Sequence, residues 1–278
     1  MKKTVVAIVL AFSLIFVGAL TFLLGMHMLG YDFKKLSMEN YVTVEHTVEE
    51  PFSNIRIEVD TSDVRFALSE DGNCKVVCRQ RDDMPHSVAV VNGTLTVQFE
   101  DEREWYDHIG IFFESGEVVI YLPASTYNSV VIETDTGDVE MNDLHLQSLL
   151  LESDTGDVTL TAVHVESELR FKTDTGDITY TNSTCKRLSI EVDTGDIALQ
   201  GVIVTEDIRI QSDTGDVELN ACDASTLDIK TSTGDVSGRL LSPKTYVVDT
   251  STGDVRVPNS STGGVCSIRT STGDIEFE

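Results

Sequence analysis

The sequence predicts an all-β chain: a parallel β-solenoid (β-helix-like) of about 19–20-residue turns with an atypical β cap, preceded by one N-terminal transmembrane helix. Three observations carry that reading. The tetrad T-G-D followed by Val or Ile occurs eight times, with its glycines at Gly137, Gly156, Gly176, Gly195, Gly215, Gly234, Gly253 and Gly273, spaced by 19 or 20 residues throughout. Apolar residues flank each tetrad at every second position, the signature of strands with one buried face. A single long uncharged run stands near the N-terminus, over 4–30.

That run follows Met1, Lys2 and Lys3. It is longer than the apolar region of a secretory signal, about 7–15 residues, and lacks a small-residue cleavage site. It exceeds the roughly 20 apolar residues that a spanning helix needs. The expectation is an uncleaved signal-anchor over 5–30 with a cytoplasmic tip at 1–4. The early lysines keep the tip inside a bacterial cell membrane and place the remainder outside as a single-pass, extracytoplasmic domain. Lys34 and Lys35 on the far side oppose that bias, and a cleaved signal peptide is the alternative; either exports the rest. The run contains no Cys, which argues against a lipid anchor. Residues 31–50 read as a spacer.

Residues 51–130 read as an N-terminal β cap with degenerate repeats. The stretch NIRIEVDTSDVRFAL, over 54–68, resembles one turn with Ser62 in the glycine place. GTLTVQFE and EVVIYLP are further strand candidates. The loop DEREWYDHIG, over 101–110, holds Trp105, the one tryptophan of the chain. It reads as a cap loop covering the core end, with a contact patch for glycan or protein as the alternative.

Residues 131–278 are the solenoid itself. Counting from each glycine, position −5 holds Ile132, Leu151, Phe171, Ile190, Ile210, Ile229, Val248 and Ile268, and position +2 holds only Val or Ile. Positions −7 and +4 are also mostly apolar, and Leu144, Leu146, Val163, Val165, Val202 and Val204 suggest a further inward-facing side. One unit of this length buries no apolar face alone, so the units must stack. The glycine fits a corner that needs a positive φ or a close approach between turns. The last turn, STGDIEFE, is expected to leave an open sheet edge that Glu276 and Glu278 blunt or that accepts a partner strand.

Asp-Thr-Gly is also the triplet around the catalytic aspartate of pepsin-like proteases. Such a site needs two unique aspartates sharing a proton in one cleft; a column of identical triplets on a wall builds none. The repeats instead give two acidic columns. One runs Asp138, Asp157, Asp177, Asp196, Asp216, Asp235, Asp254 and Asp274, after the glycines; the other runs Asp135, Asp154, Asp174, Asp193 and Asp213, two before them, and continues as Ser232, Ser251 and Ser271. Stacked like charges need hydration, hydrogen bonds within each aspartate's own turn, or cations, and hard oxygen ligands suit Ca²⁺. The ten aspartates of the first five turns are therefore the candidate calcium ligands, although the period is not that of the nonapeptide calcium roll. His145 and His164, eight after successive glycines, should stack on one outer face, where they could share a transition metal. The five cysteines read as small buried hydrophobes.

The net charge of −27 excludes nucleic acid as a natural partner. No phosphate loop, G-x-S-x-G elbow or H-E-x-x-H is present. VVIYLPASTYNSVVIETDTGDVEM, over 118–141, with the recurrent TGDV and TGDI units behind one N-terminal apolar segment, resembles the bacterial DUF4097 family, described as candidate adhesins with β-strand repeats. The resemblance covers roughly 52–278. It implies a parallel β-solenoid exposed on a bacterial envelope and brings no catalytic residues. The expected function is a membrane-anchored, non-enzymatic binding or scaffold module, adhesin-like, without a cofactor, and partnered by cell-wall glycan or an envelope protein. An envelope-stress or signalling accessory acting through a membrane partner and a carbohydrate-active β-helix enzyme are the alternatives.

Overall fold

The computed structural model describes residues 2–28, 41–82, 84–99 and 116–278. The cap loop around Trp105 and residues 31–40 of the expected spacer lie outside these residues, as do 29–30 of the expected anchor. The chain divides into two compact units. The described part of the first is one helix, Lys2–Met28. Its side chains are described from Phe12 onward. Among the described residues no helix is long and apolar enough to cross a membrane, so the spanning anchor over 5–30 does not follow from the structure.

The second unit is the solenoid. Each T-G-D unit forms one rung: a strand before the glycine, a corner, and a strand after it. Strands before the corner, such as Leu149–Thr155, stack in parallel into one sheet; strands after it, such as Val158–Thr161, stack into a second. Register is kept column on column, with Leu149 between Val130 and Leu169 and Val158 between Val139 and Ile178. The inward columns thus fuse into one apolar core in which Ile132, Leu151, Phe171, Ile190, Ile210 and Ile229 are at most 2% exposed. Leu144, Leu146, Val163, Val165, Val202 and Val204 are buried along the expected third side. Short parallel pairings there join Thr126–Tyr127, His145–Leu146 and the start of His164–Thr175.

The glycine corner meets both expected constraints. Gly176 has φ +147°, and a Cβ on it would lie 2.0 Å from the Gly156 carbonyl oxygen. Its N–H donates to the Thr194 carbonyl of the next rung at 3.0 Å. Six residues on, a second corner takes the left-handed conformation at Asp143, Ala162, Asn182, Gly201 and Ala221, with φ between 50° and 64°. The sequence half hides this column: Gly201, Asn182 and Asp143 favour the conformation, whereas Ala162 and Ala221 do not.

Rung order departs from chain order at both ends. At the N-terminal end, Asn54–Val59 and Ser62–Leu68 stack directly against the first T-G-D rung, and Thr94–Phe99 with Gly116–Leu122 form the rung beyond them. Antiparallel strands close that end: Cys74–Arg81 and Tyr41–Val48 extend one sheet and His86–Val91 the other. Tyr41–Val48, expected within the spacer, is therefore an edge strand. At the C-terminal end, Gly264–Thr272 and Ile275–Phe277 lie inside the stack, and Lys244–Thr252 with Val255–Arg256 form the outermost rung. The open edge expected at Ile275–Phe277 belongs to the preceding repeat instead. Gly263 and Gly264 make the insertion possible: a Cβ on either would lie 1.8 Å from a carbonyl oxygen, that of Pro243 in the outer rung or Ser225 in the inner one.

All five cysteines are buried free thiols. Burial pushes Cys74 and Cys78 up to about 11 and Cys185 and Cys266 to about 12, which leaves them protonated and inert.

The two corners differ in what they tolerate. Gly195→Ala places a Cβ 2.0 Å from the Gly176 carbonyl oxygen and should destabilise the solenoid by roughly 3–5 kcal/mol. Gly201→Ala should cost roughly 1–2 kcal/mol, because its Cβ would come close only to the Asn182 side chain, at 2.8 Å, and Ala162 and Ala221 already occupy that column. Chemical denaturation of the two variants checks the contrast; equal costs would refute it.

Candidate functional site

The aspartates after the glycines form one continuous hydrogen-bonded ladder. The Asp157 N–H donates to Asp138 Oδ1 at 2.9 Å, Asp177 to Asp157, Asp196 to Asp177, Asp216 to Asp196 and Asp235 to Asp216, each of these at 2.8 Å. The ladder starts on Asp63, which accepts the Asp138 N–H at 3.1 Å. It follows the swapped rung order at the far end, from Asp235 to the Asp274 N–H and from Asp274 to that of Asp254, both at 2.7 Å. The expectation that each aspartate bonds its own turn is corrected: each carboxylate accepts from the neighbouring rung. Geometry dictates this, because parallel stacking brings the next backbone N–H within reach, and an ionised acceptor strengthens the bond.

The other column, Asp135, Asp154, Asp174, Asp193 and Asp213, projects into solvent on the same corner. The wall is thus acidic in two columns, one committed to the backbone and one directed outward. Among the described residues no group of three His, Cys, Asp or Glu side chains is arranged to hold a metal ion.

His145 and His164 stack as the repeat implies, with ring centroids 5.0 Å apart. His164 Nδ1 lies 2.9 Å from Thr184 Oγ1 on the next rung. The pair borders a surface groove of about 610 Å³ that Leu68, Ser125 and Asp143 also line.

The N-terminal end holds a buried polar network that no local sequence pattern marks. Ser62, Gln80 and His86 are each 6% exposed. The Gln80 amide oxygen accepts the His86 backbone N–H at 2.8 Å and lies 3.0 Å from Nδ1. That contact places the ring proton on Nδ1 and leaves Nε2 as acceptor for Ser62 Oγ at 3.3 Å. Ser62 stands in the glycine column between Gly116 and Gly137, whose missing side chains make room for it. The readable signal was Ser115-Gly116-Glu117-Val118, a degenerate T-G-D-V at the head of Gly116–Leu122. Burial, with a contribution from His46, pushes the His86 imidazole down to about 4.

A family model described as Toastrack DUF4097 matches residues 52–206 and 186–278. The chain belongs to this family. A solved structure of a candidate adhesin from Bacteroides fragilis aligns with 86% of this chain and 97% of its own at 16% identity, with a TM-score of 0.57. A candidate adhesin from Parabacteroides distasonis aligns with 87% and 98% at 14% identity and a TM-score of 0.49. A candidate lipid-binding protein from the same species gives 87%, 98%, 14% and 0.35. At 16% identity the first likeness concerns the fold alone. No curated protein matches the chain.

Two measurements check the site. Asp196→Ala removes one acceptor from the ladder and should cost about 1 kcal/mol. Asp196→Asn retains an acceptor oxygen and relieves like-charge stacking, so its denaturation midpoint should stay near that of the parent. His86 has a folded value of about 4 against 6.5 when unperturbed, so the unfolded chain binds the extra proton between those values. Stability should be intact above about pH 6.5 and fall towards pH 4, by roughly 3 kcal/mol from this group. His86→Gln should flatten that part of the pH profile.

Proposed function

We propose that this Toastrack-family chain is a membrane-anchored, extracytoplasmic β-solenoid that acts as an adhesin-like binding or scaffold module rather than an enzyme, with cell-wall glycan or an envelope protein as its partner. The observation that carries the reading is the ladder. It commits one aspartate of every T-G-D rung but the outermost to structure and leaves a repetitive acidic wall of outward carboxylates on the first five rungs, suited to contact along its length. Catalysis by paired acids would call for two carboxylates set apart in one groove with different environments, and the corners are instead near-copies of one another.

The N-terminal helix supports the anchor. Phe12, Leu14, Ile15 and Phe16 are each at least 67% exposed, a density of uncovered apolar side chains that seeks an apolar medium. The uncharged run over 4–30 has the composition of a spanning segment. An accessory role through a membrane partner is the second reading, and it would rest on the same helix.

Pelleting of the full chain, held in detergent, with isolated bacterial cell walls tests the first reading. Saturable co-sedimentation is expected, and its loss in EDTA would assign the contact to the aspartate columns. If no pelleting occurs with or without calcium, wall binding is excluded. Exchange of 5–30 for an unrelated spanning segment would then be the test of the accessory role, which predicts loss of function.

A further inference from the structure

The two ends of the solenoid are not equivalent. At the N-terminal end the outermost rung is roofed by antiparallel strands, and its core residues Leu95, Val97, Val118 and Ile120 are fully buried. At the C-terminal end nothing among the described residues roofs the rung made by Lys244–Thr252 and Val255–Arg256. Val255 is 43% exposed there, whereas Val236 and Ile275 of the same column are at 0%. Tyr246, Val248 and Val257 are only partly buried. Leu241, Val247 and Val265 add exposed apolar surface close by.

The polar groups of this face are equally unfinished. Gly234 donates its N–H to Thr272 and Gly273 to Thr252, but no rung follows to accept from Gly253. Asp235 and Asp274 each accept the N–H of the next aspartate, and Asp254 is the last carboxylate of the series. Val236 and Ile275 donate to the next rung, so the same geometry turns the Val255 N–H and C=O outward. The face is the inter-rung contact of the fold, repeated once more with no rung upon it.

We propose that a second copy of this chain covers it, tip to tip about a two-fold axis. This goes beyond the binding-module reading, because it concerns how the module assembles and not what its wall contacts. The edge residues Asp254, Val255 and Arg256 are self-complementary in an antiparallel pairing. Val255 faces Val255 of the second copy and exchanges both backbone hydrogen bonds with it. Asp254 then faces Arg256 of the second copy, and Arg256 faces Asp254, so each opposite-charge pair forms twice. Both side chains are well exposed, Asp254 at 80% and Arg256 at 68%, and the long contacts they make within the chain, 3.9 Å to each other and 3.7 Å from Arg256 to Glu276, can be exchanged for contacts across the axis. The walls carry most of the −27 charge, and an end-on contact keeps them apart. A two-fold contact also closes on itself, unlike a head-to-tail one, which would propagate as a filament. The chain enters the solenoid at Tyr41, at the opposite end, so a tip-to-tip pair leaves the two entry points at its far poles.

Full-length protein in detergent tests this without any cell wall present, so the outcome is independent of wall binding. A hydrogen-bonded antiparallel pair sets Cα atoms about 5.5 Å apart, within disulfide range. Under mild oxidation Val255→Cys should give a disulfide-linked dimer, and Val91→Cys, exposed at the other end, should not. In sedimentation velocity, Asp254→Arg and Arg256→Asp should each weaken dimerisation about tenfold or more, and the double variant Asp254→Arg/Arg256→Asp should restore it. Matching melting curves exclude misfolding as the cause. A monomeric parent with no Val255→Cys dimer overturns the proposal. So does a double variant as weak as the singles, or a disulfide formed between Val255→Cys and Val91→Cys chains in a mixture.

Discussion

Successive glycines of the T-G-D column lie so close that a Cβ on Gly195 would sit 2.0 Å from the Gly176 carbonyl oxygen, and the same approach recurs along the stack. The solenoid is arranged around this backbone contact. It fixes the corner in a φ that side chains resist and draws each glycine N–H except that of the outermost rung onto the threonine carbonyl of the next rung. It also sets the aspartate beside each glycine within reach of the next backbone N–H. The charge ladder follows from the glycine column: like-charged carboxylates stack at the spacing of β-strands because each is tied to a donor that the column supplies.

The same contact explains how rungs are inserted out of chain order. Every rung presents the same face, so a rung fits wherever a neighbour offers the matching set of carbonyls and apolar columns. Gly273 accordingly sits between Gly234 and Gly253, and Ser62 between Gly116 and Gly137. This interchangeability also makes the outermost rung a docking surface: what it lacks is what every inner rung receives from its neighbour. The contrast between a roofed N-terminal end and an open C-terminal one gives the molecule a polarity that a uniform repeat would not have.

Much of this was legible from spacing. The period, the four inward columns, the third apolar side around Leu144 and Leu146, and the role of the glycines all follow from residue identity at fixed offsets. Rung order did not, because a period reports similarity between units and not which unit touches which. The return of the last rung is marked only by Gly263-Gly264, and the cap rung only by Ser115-Gly116-Glu117-Val118. Direction was the other gap: the aspartates were recognised as hydrogen-bonding groups, but their acceptors face the neighbouring rung, a relation that a single unit does not contain. The Ser62, Gln80 and His86 network joins three residues from separate strands, and no local pattern links them.

Close glycine stacking holds the rungs together as one cooperative body. Native-state hydrogen exchange at the glycine amides tests it most directly. The N–H groups of Gly156, Gly176, Gly195 and Gly215, each bonded to a threonine carbonyl on the next rung, should exchange only through global unfolding. The Gly72 amide, in an open surface turn, should exchange orders of magnitude faster. If the column glycines exchange as fast as Gly72, the corner is not the element on which the fold depends.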